Sequence, residues 1–529
     1  MGERFKWAVI CLPLVLFLFG CGSKNIEYPA PSAKAEDGNF VSKRCAFKFG
    51  GKNYPAEYGT ITVKENRSNP SSRLIHLPVI RIHARSQNTN EPLFGLAGGP
   101  GQSNMLWSPI DSLLYDHDFV MLGYRGVDGP VVLDCPEINE VMKEGGDDLL
   151  SNQSLKNIAK AWEADVNRFK SNGVDINGYT IPETVEDMEA VRIALKYVKI
   201  NLISESYGTR VAYIYGLMHP DKIFRSVMIG ANPPGKFIWD PGIIDEQINY
   251  YSSLWAGDTI MSKKCSDLSG TILKVLSNMP RNWLFFSINP GKVKVTAFCM
   301  LFQRKTAAMV FDSFIEADKG DYSGLALMSL ACDYTLPRMF VFGDLFLKAG
   351  SADIEYLPSN LTENQSTVMG SPLNDLLWKS IRYKNFPVKL IPEKLRSINH
   401  SDVNTLILSG TVDFSTPAKH AAEFLKYLKN GKQIILSEYG HVDDLRYYNQ
   451  SMSDKIITNY INNGTTDTTA KRYAAMDFNV RFGLPLMMKA AISIIVSILM
   501  LIIIAVYNII KKVQLKKMKI LISENEINS

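Results

Sequence analysis

The sequence predicts an α/β fold: a mostly parallel sheet with helices packed on both faces. Three observations carry that expectation. From Tyr58 to about Asn232, short apolar runs alternate with amphipathic helical stretches. The runs break at their carboxyl ends into glycines, as in "PLFGLAGGPG" and "DFVMLGYRG". After an interval of roughly 170 residues, far more than the dozen or so a single crossover needs, the alternation resumes at "NTLILSG" and "QIILSE". Such alternation is the pattern of a parallel sheet covered on both sides.

Taken in order, "LIHLPVIRIHA" has the β-branched alternation of a strand, and Pro78 within it suits an edge position. "PETVEDMEAVRIALKYV" reads as an amphipathic helix. Thr184 is placed to cap its start, with Asp187 three residues on, and Val185, Met188, Val191, Leu195 and Val198 share one face. "KINLISES" is the next strand, "YGTRVAYIYGLMHP" a helix stopped near Pro220, and "FRSVMIGAN" another strand. The interval that follows is rich in aromatics, Met and Pro and lacks strand–helix alternation, which predicts an inserted, largely helical lid. Beyond it, Thr416-Pro417 opens a helix with proline at its first position and Asn430-Gly431 closes it.

Both ends point to a membrane. Arg4 and Lys6 precede the apolar run Trp7 to Phe19, too short to span a bilayer but suited to a signal peptide. The run ends in Leu18-Phe19-Gly20-Cys21, which resembles the bacterial lipoprotein box, so Cys21 is a candidate for lipidation; cleavage without lipidation and an uncleaved anchor are the alternatives. Near the other end, "AAISIIVSILMLIIIAVYNII" is apolar all round and long enough to cross the hydrocarbon layer. The lysines at 511, 512, 516, 517 and 519 predict that its far side is cytoplasmic. The body is therefore expected outside the cytoplasm. The boundaries that follow are 1–20 signal peptide, 21–57 tether and N-terminal segment, 58–235 and 401–465 sheet domain, 236–400 lid, 466–489 linker, 490–510 transmembrane helix and 511–529 basic tail.

Composition supports a folded body, with 46% hydrophobic and 21% charged residues. The net charge of +5 sits mostly at the ends, so the body offers no electrostatic footprint for nucleic acid. Beyond Cys11 and Cys21, the cysteines at 45, 135, 265, 299 and 332 would allow two disulfides and one leftover thiol in an oxidising compartment. No CxxC or His/Cys cluster suggests a metal site, and no cofactor is expected.

The candidate chemistry begins at "NLISESYGTR". Ser206 stands between a buried strand and a helix, where a tight turn would lift its hydroxyl above the carboxyl edge of the sheet. An S-x-S-x-G pattern alone is better read as a helix-capping serine. Two more residues change that. Asp413 follows the strand "TLILSG" and His441 follows "QIILSE", so all three lie where open parallel sheets keep their sites. "AGGPGQS", Ala97 to Ser103, adds backbone N–H groups able to meet a developing negative charge.

Together these segments resemble the proline iminopeptidase and tripeptidyl aminopeptidase branch of the α/β-hydrolases. "AGGPGQS" is similar to that group's HGGPG loop, and "VMLGYRGVDGPVVLDCPE" to its aspartate-x-arginine-glycine segment. "LISESYGTRVAYIYGLMHPDKI" resembles its nucleophile elbow, while "LILSGTVDFSTPAKHA" and "EYGH" resemble its acid and base loops. The resemblance implies Ser206 as nucleophile, Asp413 as orienting acid, His441 as base, and Gly98 with Tyr207 as oxyanion donors. It further implies a peptide substrate read by its free amino end, with lid acids such as Asp258, Glu316, Asp318 and Glu355 as candidate ligands for that amine. Ala97, Gly123 and Ser204 depart from the histidine, aspartate and glycine usual in the group. An esterase on the same triad and a catalytically silent surface binding protein are the rival readings.

Overall fold

Period-two burial on both faces shapes the centre of the sheet in the computed structural model, which describes residues 27–357, 367–382, 388–469, 471 and 473–527. The predicted signal segment and Cys21 lie outside those residues. Strands β1 (Phe40–Phe49), β2 (Lys52–Lys64), β3 (Leu74–Ile82), β4 (Leu93–Leu96), β5 (Phe119–Leu122), β6 (Ile200–Glu205) and β7 (Ile223–Ile229) form one sheet with β10 (Thr405–Gly410) and β11 (Gly431–Leu436). Their order is β1-β2-β3-β5-β4-β6-β7-β10-β11. The strands from β5 to β11 run parallel, and β1 to β3 pair antiparallel at one side. Along β5, Val120 and Leu122 enter one core cluster while Phe119 and Met121 enter the other. Strand β6 splits Leu202 from Ile203, and β10 splits Ile407 from Leu406 and Leu408, in the same way.

Helices of eight or more residues cover both faces. Those before the lid are α1 (Pro136–Glu144), α2 (Asn152–Ser171), α3 (Ile181–Ala194) and α4 (Tyr207–Met218). Val185, Met188 and Val191 of α3 join Val211 and Ile214 of α4 on one face. After the lid come α11 (Ala418–Leu425) and α12 (Gln450–Asn463), and Met452, Ile456 and Ile457 of α12 cover the opposite face. Between β7 and β10 lie α5 (Pro241–Gly257), α6 (Leu268–Ser277), α7 (Pro290–Met300), α8 (Arg304–Asp318), α9 (Ser323–Met339) and α10 (Phe342–Asp353). A small hairpin, β8 (Asn282–Trp283) with β9 (Phe286–Ser287), interrupts them. Side chains of Asp240, Asp267 and Asn289 accept from backbone N–H groups in the first turns of α5, α6 and α7.

Several sequence expectations need correction. The sheet begins at Phe40, in the N-terminal segment ahead of the position 58 expected for the sheet domain. Lys43, Arg44 and Lys48 obscure its alternation, and charge of this kind is what an open sheet edge carries. Strand β3 is interior, and its proline is tolerated for a local reason. The Pro78 carbonyl accepts from Gly123 N–H at 2.8 Å just beyond the last rung of β5, so the missing N–H falls where that ladder has ended. Helix α3 starts at Ile181, three residues earlier than expected, with Pro182 in its first turn. Thr184 is thus interior, donating to the Thr180 carbonyl, and Val198 is 81% exposed beyond the helix end.

The chain leaving the sheet is not a loose linker. Met476 and Phe478 are buried, and Phe478 packs edge-on against Trp255 at 5.1 Å. Helix α13 (Leu484–Ile527) starts inside the body, with Leu484 and Met488 buried and Lys489 paired to Asp321 at 2.7 Å. Its stretch Leu484–Met518 is long and apolar enough to cross a membrane, with a mean hydropathy of 2.9 and no cover from the body over its most apolar part. The helix outruns the predicted 490–510 because Pro485 suits a first turn and the lysines beyond 510 favour helix.

The five described cysteines are all free thiols. Burial pushes the Cys299 thiol up to about 12 and that of Cys332 up to about 11.

Candidate active site

Ser206 occupies the turn between β6 and α4 with φ 50° and ψ −119°. A non-glycine residue at positive φ is strained. The surroundings hold it there: its N–H donates to the Ile229 carbonyl at 2.9 Å and its carbonyl accepts from Thr209 N–H at 3.0 Å. Gly208 must lack a side chain, since a Cβ would lie 2.3 Å from the Leu96 carbonyl oxygen. Ser204 is fully buried and donates its hydroxyl to the Val227 carbonyl at 3.0 Å. A serine therefore fits the elbow's first position at no cost in unsatisfied polarity.

Asp413 is completely buried at the end of β10. One of its oxygens accepts from the N–H groups of Ser415 and Thr416 at 2.9 and 2.8 Å, and the other from the Thr416 hydroxyl at 2.8 Å. His441 Nδ1 lies 2.9 Å from Asp413 Oδ2. Burial alone would raise the Asp413 carboxyl, but the imidazole and these donors outweigh it and hold the group below its ordinary range. For His441, burial opposes charge, yet the Asp413 carboxylate, with Asp443 and Glu205 behind it, raises the imidazole above its ordinary value. An Nδ1–H donated to Asp413 leaves Nε2 as a free acceptor.

Residues 229 and 230 bring this pair to the serine. Ser206 donates to Ile229, and at the next residue the His441 ring lies against Gly230. A Cβ at Gly230, where φ is +64°, would sit 3.1 Å from His441 Cε1 and 2.9 Å from Thr416 Oγ1. No hydrogen bond joins Ser206 Oγ to His441 in this structure, where the imidazole is held by Asp413 and Thr416.

Gly98 follows β4 and rests on the serine: a Cβ there would lie 3.2 Å from Ser206 Cβ. Tyr207 opens α4, so its N–H has no intrahelical acceptor. Neither the Gly98 nor the Tyr207 N–H donates to another group among the described residues.

Residues 374–472, which include Asp413 and His441, match the family described as TAP-like protein. The tripeptidyl aminopeptidases of Streptomyces lividans and Streptomyces coelicolor are each 27% identical over 214 residues, 37% of this chain and 39% of theirs. The chain has an α/β-hydrolase fold, and its segment 374–472 is similar to the TAP-like family. The match thus spans about two fifths of those relatives' length. Similar solved structures include a serine hydrolase from Cycloclasticus zankles, at 10% identity and TM-score 0.35 over 81% of this chain and all of that one (100%). Another is an esterase from Exiguobacterium antarcticum, at 14% identity and TM-score 0.35 over 75% and 98% of the two chains.

The departures at 97 and 123 have a visible structural setting. A side chain at Gly123 would run into Asp128 Cβ and Pro78 Cγ, both at 2.6 Å. Asp128 supplies a carboxylate in that region, accepting from Asn104 N–H at 2.9 Å and Tyr124 N–H at 2.8 Å. Asn104, fully buried, then accepts from Ala97 N–H at 2.7 Å and donates to the carbonyls of Gly95 and Leu122. The loop carrying Gly98 is thereby fixed from its carboxyl side.

The lid acids named from the sequence are engaged locally. Asp258 caps the turn at Ile260, Glu316 pairs with Lys319, Asp318 with Lys274 and Glu355 with Arg396. Besides Asp413, the acids whose charge acts on the imidazole are Asp443 and Glu205, the residue before the serine. Glu205 pairs at 2.9 Å with Arg446, whose guanidinium stacks over Trp107 at 4.7 Å. Sequence reasoning passed over these two acids, although Glu205 lies within the elbow motif itself.

Proposed function

We propose that the chain is a serine hydrolase, and that it releases short pieces from the amino ends of peptides. Ser206 is the nucleophile, His441 the base, Asp413 the orienting acid, and Gly98 and Tyr207 the oxyanion donors. The observation that carries this reading is the meeting of two independent features at Ile229-Gly230: a serine held at positive φ, and a buried imidazole–carboxylate pair.

In the first half-reaction Ser206 Oγ bonds to the substrate carbonyl carbon as its proton passes to His441 Nε2. The Gly98 and Tyr207 N–H groups receive the charge that develops on the carbonyl oxygen, and Asp413 stabilises the imidazolium. The C–N bond breaks as that proton moves to the leaving amine. Water then gives a proton to Nε2 as its oxygen bonds to the acyl carbon, and the C–Oγ bond breaks as Nε2 returns that proton to Ser206 Oγ.

The peptide preference rests on the tripeptidyl aminopeptidase relatives. Local pairing of the four lid acids favours a second reading, ester hydrolysis on the same residues, because it leaves amine recognition unassigned. We place the body outside the cytoplasm, tethered by α13 and, if processed, by a lipid on Cys21.

A fluorophosphonate probe should label the parent chain and not Ser206→Ala. Labelling that survives this substitution removes Ser206 as nucleophile. Mass spectrometry of a digested peptide library then separates the two readings: di- or tripeptide release supports the first, and cleavage of aryl esters alone supports the second.

Gly230→Ala tests the junction. Displacing the imidazole by a fraction of an ångström should lower kcat by about 10- to 100-fold, and the left-handed backbone should cost about 1–2 kcal/mol of stability. Unchanged kcat in a folded variant would show that Gly230 does not set the ring's position.

A further inference from the structure

The loop that presents His441 is braced on two sides by segments far from it in sequence. The lid provides one side: His441 N–H donates to the Phe302 carbonyl at 2.6 Å, and the Asp444 carboxylate gathers the N–H groups of Arg304 and Gly440 at 2.8 and 3.0 Å. The chain entering α13 provides the other. Glu438, three residues before His441, is buried and held at φ +60°. Its carboxylate accepts from the Tyr473 hydroxyl and from Met476 N–H, and its own N–H donates to Thr411 Oγ1 at 2.7 Å on the Asp413 loop. Arg304 links the two braces, donating to the Ala475 carbonyl while its guanidinium lies over the Tyr448 and Tyr439 rings at 4.3 and 5.4 Å. Beyond that point Phe478 wedges between Trp255 and Phe311, and Lys489 of α13 fastens to Asp321.

A buried carboxylate without donors is costly, and a glutamate at positive φ is strained. Here the strap 473–489 supplies two donors to that carboxylate, the Tyr473 hydroxyl and Met476 N–H. We propose that this strap, which leads directly into the apolar helix, is a positioning element of the active site, acting on His441 through Glu438. Catalysis is thereby tied to the segment that anchors the chain.

The inference rests on the hydrolase reading, so its test includes a measurement independent of turnover. The full chain is compared in detergent micelles with Glu438→Gly, Glu438→Gln, Tyr473→Phe and Phe478→Ala. Hydrogen exchange at the amides of 439–442 should quicken in all four, together with that of 474–477. Phe478→Ala is the sharpest case, because it leaves Glu438 intact and loosens the strap from its far side. With p-nitrophenyl acetate as substrate, Glu438→Gly should lose about 10- to 100-fold in kcat with KM within about twofold. Its melting temperature should change little, because glycine relieves the strained φ. Glu438→Gln, which keeps one acceptor oxygen, should fall between it and the parent. Exchange at 439–442 that stays at the parental rate while 474–477 loosens would overturn the proposal, and so would a parental kcat in Glu438→Gly. A parent chain that hydrolyses nothing defeats the hydrolase reading alone, and the exchange data still report the coupling.

Discussion

Ser206→Ala should lower kcat by about 10⁵- to 10⁶-fold, leaving the fold intact. The size follows from what the hydroxyl does. Without Oγ no acyl-enzyme forms, and the remaining acceleration comes from the oxyanion donors acting on direct attack by water, a residual of about 10³- to 10⁴-fold over solution. The fold should survive because Ser206 is held by its backbone: the N–H to Ile229, the carbonyl to Thr209, and the helix that begins at Tyr207. Alanine keeps all three and meets the same positive φ. Steady-state hydrolysis of an aryl ester alongside a thermal melt checks both halves. A variant that melts like the parent and retains more than about a hundredth of its kcat would move the nucleophile elsewhere, since loss of a true nucleophile is far larger.

His441→Ala should be nearly as damaging, about 10⁵-fold or more in kcat, because serine and base act as a unit. The same imidazole sets the acid limb of the pH profile. It must be neutral to accept the serine proton. The Asp413 carboxylate, with Asp443 and Glu205, raises it above its ordinary value against the opposing effect of burial. Activity should therefore be full well above that raised value and fall as pH drops through it, with a midpoint above that of an ordinary imidazole. Asp413→Asn should lower kcat by about 10⁴-fold, chiefly by admitting the wrong tautomer. A profile of kcat/KM for the parent that stays flat down to pH 5 would rule out His441 as the base.

Much of this arrangement is legible in the sequence, for a physical reason. The central strands are buried on both faces, so they appear as continuous apolar runs whose carboxyl ends can be located. Ser206, Asp413, His441 and the glycines after β4 lie at those ends in the structure, where the sequence placed its candidates. What could not be read depends on contacts between distant segments. Strand β1 is hidden in the N-terminal segment because its outward residues include lysines and an arginine. Gly230 resembles any glycine after a strand until His441, 211 residues later, lies against it. Asn104, Asp128 and Glu438 resemble ordinary polar loop residues, yet each is defined by groups it meets only after folding. The lid acids mislead in the opposite direction: their charge suggests a ligand, and neighbouring lysines, an arginine and backbone N–H groups already occupy them.

The unpaired thiols carry a practical corollary. With every described cysteine reduced, packing and ion pairs hold the body together without covalent staples. A chain of this kind has no oxidative maturation step to complete at these positions, so dithiothreitol should neither inactivate nor loosen it. Cys299 and Cys332 stay protonated near neutrality, which makes them poor partners for alkylating reagents until the lid itself unfolds.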